Sequence, residues 1–424
     1  MNSPKYYSGK ELHFDVSLIS ASAIQAVKTL TGAGYSAYLV GGCIRDLMLG
    51  IRPKDFDIST QATPNQIRQL FPRARIIGQR FKIVHVIIKG ELLEIATFRQ
   101  SVKDHHKDQA TGQVLDDNVF GSLEEDAARR DFTINAFYYD ATKNRVIDFF
   151  DGKTDLTDKK LRLIGDPDER FAEDPGRILR TVRFQAKFNF DVSHNLAEAV
   201  FRQKHLLRNI PPARRFDEVL KLFYCGQAEK VWELLNIYDL SPYLFAFSDD
   251  AHSAQAKLSR QITQRALEKT DQRIREDKTV ISSFMFCAIL WPYYQLRFRQ
   301  LITKKYDPQE AMIYASEEVI SEQLVHTGML RRVSNTIREI WWLQYRLEKA
   351  RRKQVMKILN SPRFRAAYDF FLVRAECGDA DHEKAQFWTD AQDTGQPPSK
   401  VNKQKPSFKQ KKRRRHRNKN LNSA

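Results

Sequence analysis

The sequence predicts an α/β domain at the N-terminus, an all-α region after it and a disordered basic tail. Short apolar strands alternate with helical patterns in the first part, as around Tyr38. From Pro167 onward the apolar residues recur with the helical period. After Trp388 the chain is polar and lacks the residues to build a core. The predicted bounds are 1–165 for an α/β head, 166–235 for a helical neck, 236–388 for a helical body and 389–424 for the tail.

Each element has a local signal. An apolar strand at 38–40 runs into Gly41-Gly42, and polar and apolar residues alternate at 55–58 as in a half-buried strand. Two more strands at 83–88 and 92–98 are joined by a hairpin at Lys89-Gly90. Apolar period and Pro or Asp starts predict helices at 116–130, 174–188, 211–222, 280–294, 337–352 and 364–377.

Composition limits the possible partners. The chain has 424 residues, 42% of them apolar, and a formal net charge of +18. Residues 400–424 contain eleven lysines and arginines and no acid. This predicts a polyanionic partner, and nucleic acid fits better than membrane because no apolar helical face accompanies the charges. The densest cations, predicted to bind RNA, are Lys411, Lys412, Arg413, Arg414, Arg415 and Arg417. The alternative is a tail that only keeps the protein soluble.

The sequence also indicates where the protein works. The N-terminus lacks the charged segment followed by an apolar segment that is typical of a signal peptide. The apolar stretch at 280–294 is shorter than the roughly 20 residues of a membrane span. The four cysteines lie far apart without a CxxC pair, which indicates reduced thiols. We therefore expect a cytoplasmic monomer with no membrane partner.

Residues 40–60 contain a candidate phosphate site. Gly41 and Gly42 allow backbone amides to approach a phosphate, and the helix that follows presents its N-terminus to the anion. Arg45 in the first turn of that helix is a candidate clamp for a triphosphate, with Asp46 beside it. We therefore expect all four residues to bind a nucleotide.

Asp55 and Asp57 form a candidate metal site. Two residues apart on a strand, they share one face at a spacing of about 6.6 Å along the chain. Two such carboxylates can hold a pair of Mg²⁺ ions, which would activate an attacking hydroxyl and stabilise leaving pyrophosphate. An isolated Asp-x-Asp is more often a solvated surface feature, but the phosphate site at this spacing favours metal binding. Glu94 is either a third carboxylate of this site or an exposed strand residue.

Asp174 and Arg177 allow two interpretations. Asp174 is a good N-cap and Pro175 suits the first turn of a helix. The two residues also share a helical face, and together they offer a hydrogen-bond acceptor and a donor. The pairing edges of adenine and cytosine present the complementary pattern, whereas guanine and uracil present the opposite one. The pair can therefore select A and C without a template, and Arg180, one turn on, is in reach of phosphate or base.

These segments resemble a known family. Residues 40–60 are similar to the nucleotidyltransferase superfamily that holds bacterial poly(A) polymerases and tRNA CCA-adding enzymes. Further similar segments are LEIATFR from Leu93, EEDAARRDFTINA from Glu124, EDPGRILRTVRF from Glu173 and, in the body, SPRFRAAYDFFLVRAE from Ser361. The resemblance is dense from about 36 to 225. It implies a nucleotidyltransferase catalytic head at 1–165, a neck with the base reader at 166–235 and an RNA-binding body at 236–388. The activity it implies is extension of RNA 3′ ends from ATP with two Mg²⁺ ions.

The resemblance implies further roles. Arg130 would contact the nucleotide, and Asp131 would serve the site through the ribose or as an accessory catalytic carboxylate. Asp174, Arg177 and Arg180 belong to the segment that the family uses to read the base. From the residues alone, Arg129-Arg130 is equally a pair at a helix C-terminus, with Asp131 capping the next helix.

The base-reading pair leaves the branch of the family open, because it fits both A and C. IGQRFKIVHV from Ile77, RNIPPARRFDEVLKLF from Arg208 and the basic tail resemble poly(A) polymerases, whose tailing promotes RNA decay. No His-Asp dipeptide occurs, so the phosphohydrolase domain of some CCA-adding enzymes is absent. The alternatives are a CCA-adding enzyme and a non-catalytic RNA-binding protein. Partners such as RNA-decay proteins or RNA chaperones do not follow from the sequence.

Overall fold

The strands of the N-terminal region form one sheet. A computed structural model describes residues 3–8, 11–12, 15–78, 82–100, 120–246 and 254–394. The sheet has eight strands in the order β1-β8-β7-β2-β3-β6-β5-β4, with only β3 and β6 parallel. They are β1 Lys5–Ser8, β2 Ala37–Val40, β3 Asp57–Thr60, β4 Ala74–Ile77, β5 Ile83–Ile88, β6 Glu91–Thr97, β7 Phe137–Asp140 and β8 Arg145–Asp148. A separate pair is β9 Lys160–Leu161 with β10 Asp191–Val192.

One face of the sheet is covered and the other is partly open at β5 and β6. Val84 and Ile95 are fully buried, whereas Ile87 and Leu92 are 46% and 53% exposed. The hairpin between β5 and β6 turns at Lys89 and Gly90, as predicted. Both residues have positive φ. The helices of this region are α1 Ala21–Gly32, α2 Gly42–Met48, α3 Pro64–Leu70, α4 Leu123–Ala128 and α5 Gly152–Thr157, with 3₁₀ turns at Val16–Leu18 and Thr133–Asn135.

The rest of the described chain is almost entirely helical, which confirms the predicted fold class. The helices are α6 Pro167–Glu173, α7 Gly176–Phe188, α8 His194–Gln203, α9 Pro212–Phe223, α10 Ala228–Ile237, α11 Ser241–Leu244, α12 Ala254–Arg275, α13 Ser282–Thr303, α14 Pro308–His326, α15 Arg331–Lys349, α16 Val355–Leu359, α17 Phe364–Glu376 and α18 His382–Thr394, with 3₁₀ turns at Lys204–Asn209 and Arg352–Gln354. None of the helices in the described ranges is long and apolar enough to span a membrane.

The chain divides into two compact units, Met1–Trp342 and Leu343–Ala424. The predicted bounds at 165/166 and 235/236 fall inside the first unit. In the second unit, α18 continues to Thr394, so the tail predicted from 389 begins too early. The helix persists because Trp388 is 1% exposed and donates a hydrogen bond to the carbonyl of Leu347, and Ala391 is buried. Residues 395–424, including the tail cations, lie outside the described residues.

Other predicted bounds were also wrong. The helix predicted at 280–294 is α13, which continues to Thr303. Asp55 lies just before β3 and not on it. The helix predicted at 116–130 is α4, Leu123–Ala128, which begins after a capping box. The side chain of Ser122 accepts from the amide of Glu125, and the side chain of Glu125 accepts from the amide of Ser122. Residues 116–119 lie outside the described ranges. The helix predicted from 337 begins at Arg331, because Val333 and Ser334 are buried and extend the packed face by nearly two turns.

Candidate active site

A cavity of about 1190 Å³ in the first unit is bounded by α2, the ends of β3 and β6, α7 and α9. Each of the twelve predicted site residues outside the tail lines it. The head contributes Gly41, Gly42, Arg45, Asp46, Asp55, Asp57, Glu94, Arg130 and Asp131, and the neck contributes Asp174, Arg177 and Arg180. The fold therefore brings together residues that are up to 139 positions apart in the sequence.

The carboxylates meet at the start of β3. Asp57 is its first residue and lies directly opposite Glu94 on the parallel strand β6. Asp55 precedes the strand and lines the same cavity. Burial and the negative charges of Glu94 and Asp55 raise the pKa of Asp57 to about 6, although the charge of Arg130 opposes the shift. Repulsion of this kind is relieved when a cation binds.

The donor set suits Mg²⁺ shared with a nucleotide. Among the described residues, no three His, Cys, Asp or Glu side chains converge as a metal site made by protein alone. Mg²⁺ is usually held by one or two carboxylates together with substrate phosphates. Asp55 and Asp57 fit that pattern, because no ion pair joins either of them to a cation within the described ranges. Glu94 instead lies 3.3 Å from Nε2 of His85.

Gly41 is required at the turn into α2. Its φ is 73°, and a Cβ there would lie 3.1 Å from Nη1 of Arg130. A larger residue would therefore be strained and would press on Arg130. Gly42 begins α2, and both glycines line the cavity. Their contact with a phosphate stays a prediction.

Arg45 is more firmly held than a free phosphate clamp. It is 5% exposed, and its guanidinium donates to Asp46 and to Oδ1 of Asn135. The same group stacks on the rings of Phe184 and Phe188, at 5.3 and 4.6 Å. Arg45 thus joins α2 to α7 at the edge of the cavity, and its contact with a triphosphate stays a prediction.

Arg130 is fixed by a buried network that the sequence did not reveal. Asp126 is fully buried and pairs with both Arg129 and Arg130. The hydroxyl of Tyr138 donates to Asp126 and accepts from Nε of Arg130. Although burial alone would raise it, the pKa of Asp126 is lowered to about 2 by these two arginines and the Tyr138 hydrogen bond. Asp126 therefore stays ionised and aims Arg130 at the cavity.

Asp131 does not cap a helix. Its Oδ1 accepts hydrogen bonds from the amide of Phe132 and from Nδ2 of Asn135. Its other oxygen lies 2.6 Å from Nη2 of Arg180. Burial opposes ionisation, yet the charge of Arg180 and the two hydrogen bonds lower the pKa of Asp131. The structure therefore pairs two residues that the sequence placed in separate motifs.

The proposed base reader is built from two separately held side chains. Asp174 accepts from the amide of Gly176 and also pairs with Arg214 at 2.7 Å. It lies one position before Pro175, the N-cap of α7, so the N-cap predicted at Asp174 was wrong by one residue. Arg177 donates to Glu173 and to the carbonyl of Arg170. Asp174 and Arg177 both line the cavity, and each is oriented by its own neighbours.

The sequence did not single out several cations of the cavity wall. Arg183 and Lys187 extend the face of α7 that carries Arg177 and Arg180, and Arg214 and Lys221 come from α9. The helical spacing from Arg177 to Lys187 was the signal available for the first two. Burial and the charge of Arg180 lower the pKa of Arg183. The wall is therefore strongly cationic, as suits a polyphosphate ligand.

The fold is that of the nucleotidyltransferases. A CCA-adding enzyme of Bacillus stearothermophilus, solved with CTP, matches with a TM-score of 0.62 at 24% identity, covering 87% of this chain and 82% of that one. A CCA-adding enzyme of Thermotoga maritima, solved with tRNA, matches with a TM-score of 0.61 at 18% identity, covering 94% and 88%.

Three family models match successive parts of the chain. They are the poly A polymerase head domain at 37–162, the probable RNA and SrmB-binding site of polymerase A at 189–251, and the polymerase A arginine-rich C-terminus at 304–420. Poly(A) polymerase I of Salmonella typhimurium is 40% identical over 90% of this chain and 84% of its own. That of Haemophilus influenzae is 40% identical over 90% and 87%. The chain belongs to the poly(A) polymerase family.

A CCA-adding enzyme of Bacillus pumilus is also related, but over a shorter stretch. It is 37% identical over 227 residues, which are 52% of this chain and 55% of its own. The similarity to poly(A) polymerases thus extends through most of the helical region, whereas this one covers about half of the chain.

Proposed function

We propose that this protein is a template-independent polynucleotide adenylyltransferase that adds AMP from ATP to RNA 3′ ends. We further propose that the poly(A) tails it adds to RNA promote RNA decay. The observation that carries the proposal is one cavity that contains both the Asp55/Asp57 carboxylates and the Asp174/Arg177 pair. In the reaction the RNA 3′ oxygen bonds to the α-phosphorus of ATP, and the bond to pyrophosphate breaks.

Asp55 and Asp57 would hold the metal, with Glu94 and Asp131 as accessory carboxylates. Two Mg²⁺ ions bound there would lower the pKa of the RNA 3′-hydroxyl and neutralise charge on the triphosphate. Arg130 would neutralise charge that develops on the phosphates, since Asp126 and Tyr138 already fix its direction. The backbone amides of Gly41 and Gly42 would donate hydrogen bonds to the triphosphate. Arg45 and Asp46 would bind the nucleotide on the same side of the cavity.

The free oxygen of Asp174 would accept from the amino group of adenine, and Arg177 would donate to the ring nitrogen. Arg180 would reach phosphate or base from its pair with Asp131. A non-catalytic RNA-binding protein is disfavoured, because it would gain nothing from placing Asp57 beside Glu94 and Asp55, whose charges help to raise its pKa. We propose that the protein acts as a monomer in the cytoplasm, as the spacing of its cysteines without a CxxC pair indicates.

The proposal is tested by supplying a generic RNA with a free 3′-hydroxyl, Mg²⁺ and each nucleoside triphosphate in turn. Long tails with ATP alone are expected. Addition limited to C and A on tRNA would identify a CCA-adding enzyme, and no transfer with any nucleotide would favour the binding protein.

Replacing Arg177 by alanine is expected to reduce the preference for ATP over GTP about 10- to 100-fold, because a charged hydrogen bond to the base contributes about 1.5–3 kcal/mol. RNA affinity should change less. The measurement is kcat/KM for the four nucleotides, with exposed Arg68→Ala on α3 as the matched control. An equal loss for all four nucleotides would assign Arg177 to phosphate binding or to structure.

Deleting residues 400–424 is expected to weaken RNA capture while the rate at saturating RNA stays unchanged. The segment carries +11. Each phosphate contact to a single strand contributes about 0.7 to the slope of log affinity against log salt, so engagement of half the charges shrinks the slope by roughly 3 to 4 units. RNA titrations over a salt series test this, with a tail of the same length and glutamine in place of Lys and Arg as the second variant. Parallel lines for all three proteins would show that the tail does not bind RNA.

A further inference from the structure

The second unit has a cationic surface segment that is separate from the tail. We call residues 349–365 the basic turn. It contains seven lysines and arginines and no acid, and all seven side chains are exposed. They are Lys349, Arg351, Arg352, Lys353, Lys357, Arg363 and Arg365.

Packing holds the backbone of the basic turn in place. Val355 and Ile358 are each 1% exposed, and Phe364 is 6% exposed. Gln354 closes the 3₁₀ turn, because its side chain accepts from the amide of Arg351 while its own amide donates to the Arg351 carbonyl. The cations are therefore exposed on a segment whose backbone is held by buried neighbours.

Three acids of the second unit form ion pairs with arginines. Glu348 and Asp379 both pair with Arg374, which is 3% exposed. Asp369 pairs with Arg365, the last cation of the turn. Within the described ranges no ion pair reaches Lys349, Arg351, Arg352, Lys353 or Lys357. Residues 395–424 also contain no acid that could serve them.

Five like charges within nine residues repel one another, and an anionic polymer relieves that repulsion. An anionic lipid surface would also require an apolar face to insert. The basic turn exposes one large apolar side chain, Met356 at 42%. Its charge and its polarity therefore fit a phosphate backbone better than a bilayer.

We propose that the basic turn binds the phosphate backbone of the substrate RNA upstream of its 3′ end. This inference rests on the proposed function, since it takes RNA as the substrate. It gives the second unit a role in RNA binding that does not depend on the tail. A contact with RNA upstream of the reacting nucleotide makes RNA capture depend on RNA length.

The test is full-length protein with Arg351→Gln, Arg352→Gln, Lys353→Gln and Lys357→Gln combined. The matched control removes four exposed cations of the first unit that do not line the cavity, by Lys28→Gln, Arg68→Gln, Lys143→Gln and Lys159→Gln. A third protein retains charge through Arg351→Lys and Arg352→Lys. RNA affinity is measured over a salt series without ATP, so that this result is independent of whether the protein transfers AMP.

We expect the salt slope for an RNA of about 40 nucleotides to shrink by about 2 to 3 units in the four-site variant, at about 0.7 per contact. The control and the lysine variant should keep the wild-type slope. In the four-site variant, KM for the long RNA should rise, whereas KM for an RNA of about six nucleotides should not. That length is near the smaller end of the single-strand site sizes of proteins. For both RNAs kcat should be unchanged. An unchanged slope, or an equal loss in the control, would overturn the proposal. Loss of binding to phosphatidylglycerol vesicles with unchanged RNA binding would assign the turn to anionic lipid instead.

Discussion

Asp57→Asn is expected to abolish nucleotide transfer while the protein remains folded. Asparagine keeps the shape of the side chain but loses the charge that holds a divalent cation. Loss of one metal ligand should remove several kcal/mol of transition-state stabilisation. Since burial raises the pKa of Asp57 to about 6, removing its charge should leave the free energy of unfolding unchanged or slightly increased. Asp55→Asn should have the same effect on transfer.

The measurement is the single-turnover rate with saturating RNA and ATP, together with a melting curve for each variant. Asp191→Asn, an exposed aspartate on β10, is the matched control and should retain full activity. A tenth of the wild-type rate corresponds to a barrier change of only ~1.4 kcal/mol. If either asparagine variant keeps more than about that rate, the assignment of Asp55 and Asp57 as metal ligands is refuted.

Asp126→Asn is expected to lower the free energy of unfolding by about 3–5 kcal/mol, the usual cost of removing one partner of a buried ion pair. The variant leaves Arg129 and Arg130 without their shared carboxylate and gives Tyr138 a weaker acceptor. Activity should also fall, because Arg130 loses its fixed direction.

The pH dependence gives this prediction a second measurement. The folded-state pKa of Asp126, about 2, is below the ordinary value of 3.8, so its stabilisation is present above about pH 4 and is lost as the pH falls towards 2. Urea unfolding of wild type and variant should therefore differ most near neutral pH and converge in acid. The exposed Asp158→Asn is the control. A difference below about 1 kcal/mol at pH 7, the range of a surface pair, would contradict the buried network.

Much of the fold was predictable because its signals are local. The β5–β6 hairpin needs a residue pair that accepts positive φ between two apolar strands, and Lys89-Gly90 supplies it. The helix from Ser282 contains ten buried residues, which its apolar stretch predicted. The bounds that were wrong depended on packing or capping. Trp388 stabilises α18 because it donates a hydrogen bond to Leu347 of α15 and packs against Phe364 of α17. No local sequence pattern predicts these contacts.

The site residues were predictable as motifs, but not as a geometry. All twelve line one cavity, yet the partners that orient them come from other segments. Arg214 holds Asp174 from 40 positions away, and Arg180 meets Asp131 across 49 positions. Asp126 was assigned no role from the sequence, and it is fully buried.

The sequence by itself determined the class of fold, the candidate carboxylates and cations, and the family, because these depend on residue type and on spacing along the chain. Only the tertiary structure decided which charges meet. It placed Glu94 beside Asp57 through a parallel strand pair and buried Asp126 between two arginines. It also left five cations of the basic turn without an ion pair to any described residue. Burial and the distance between charges set the strength of an electrostatic interaction, and both arise only when separate segments pack together.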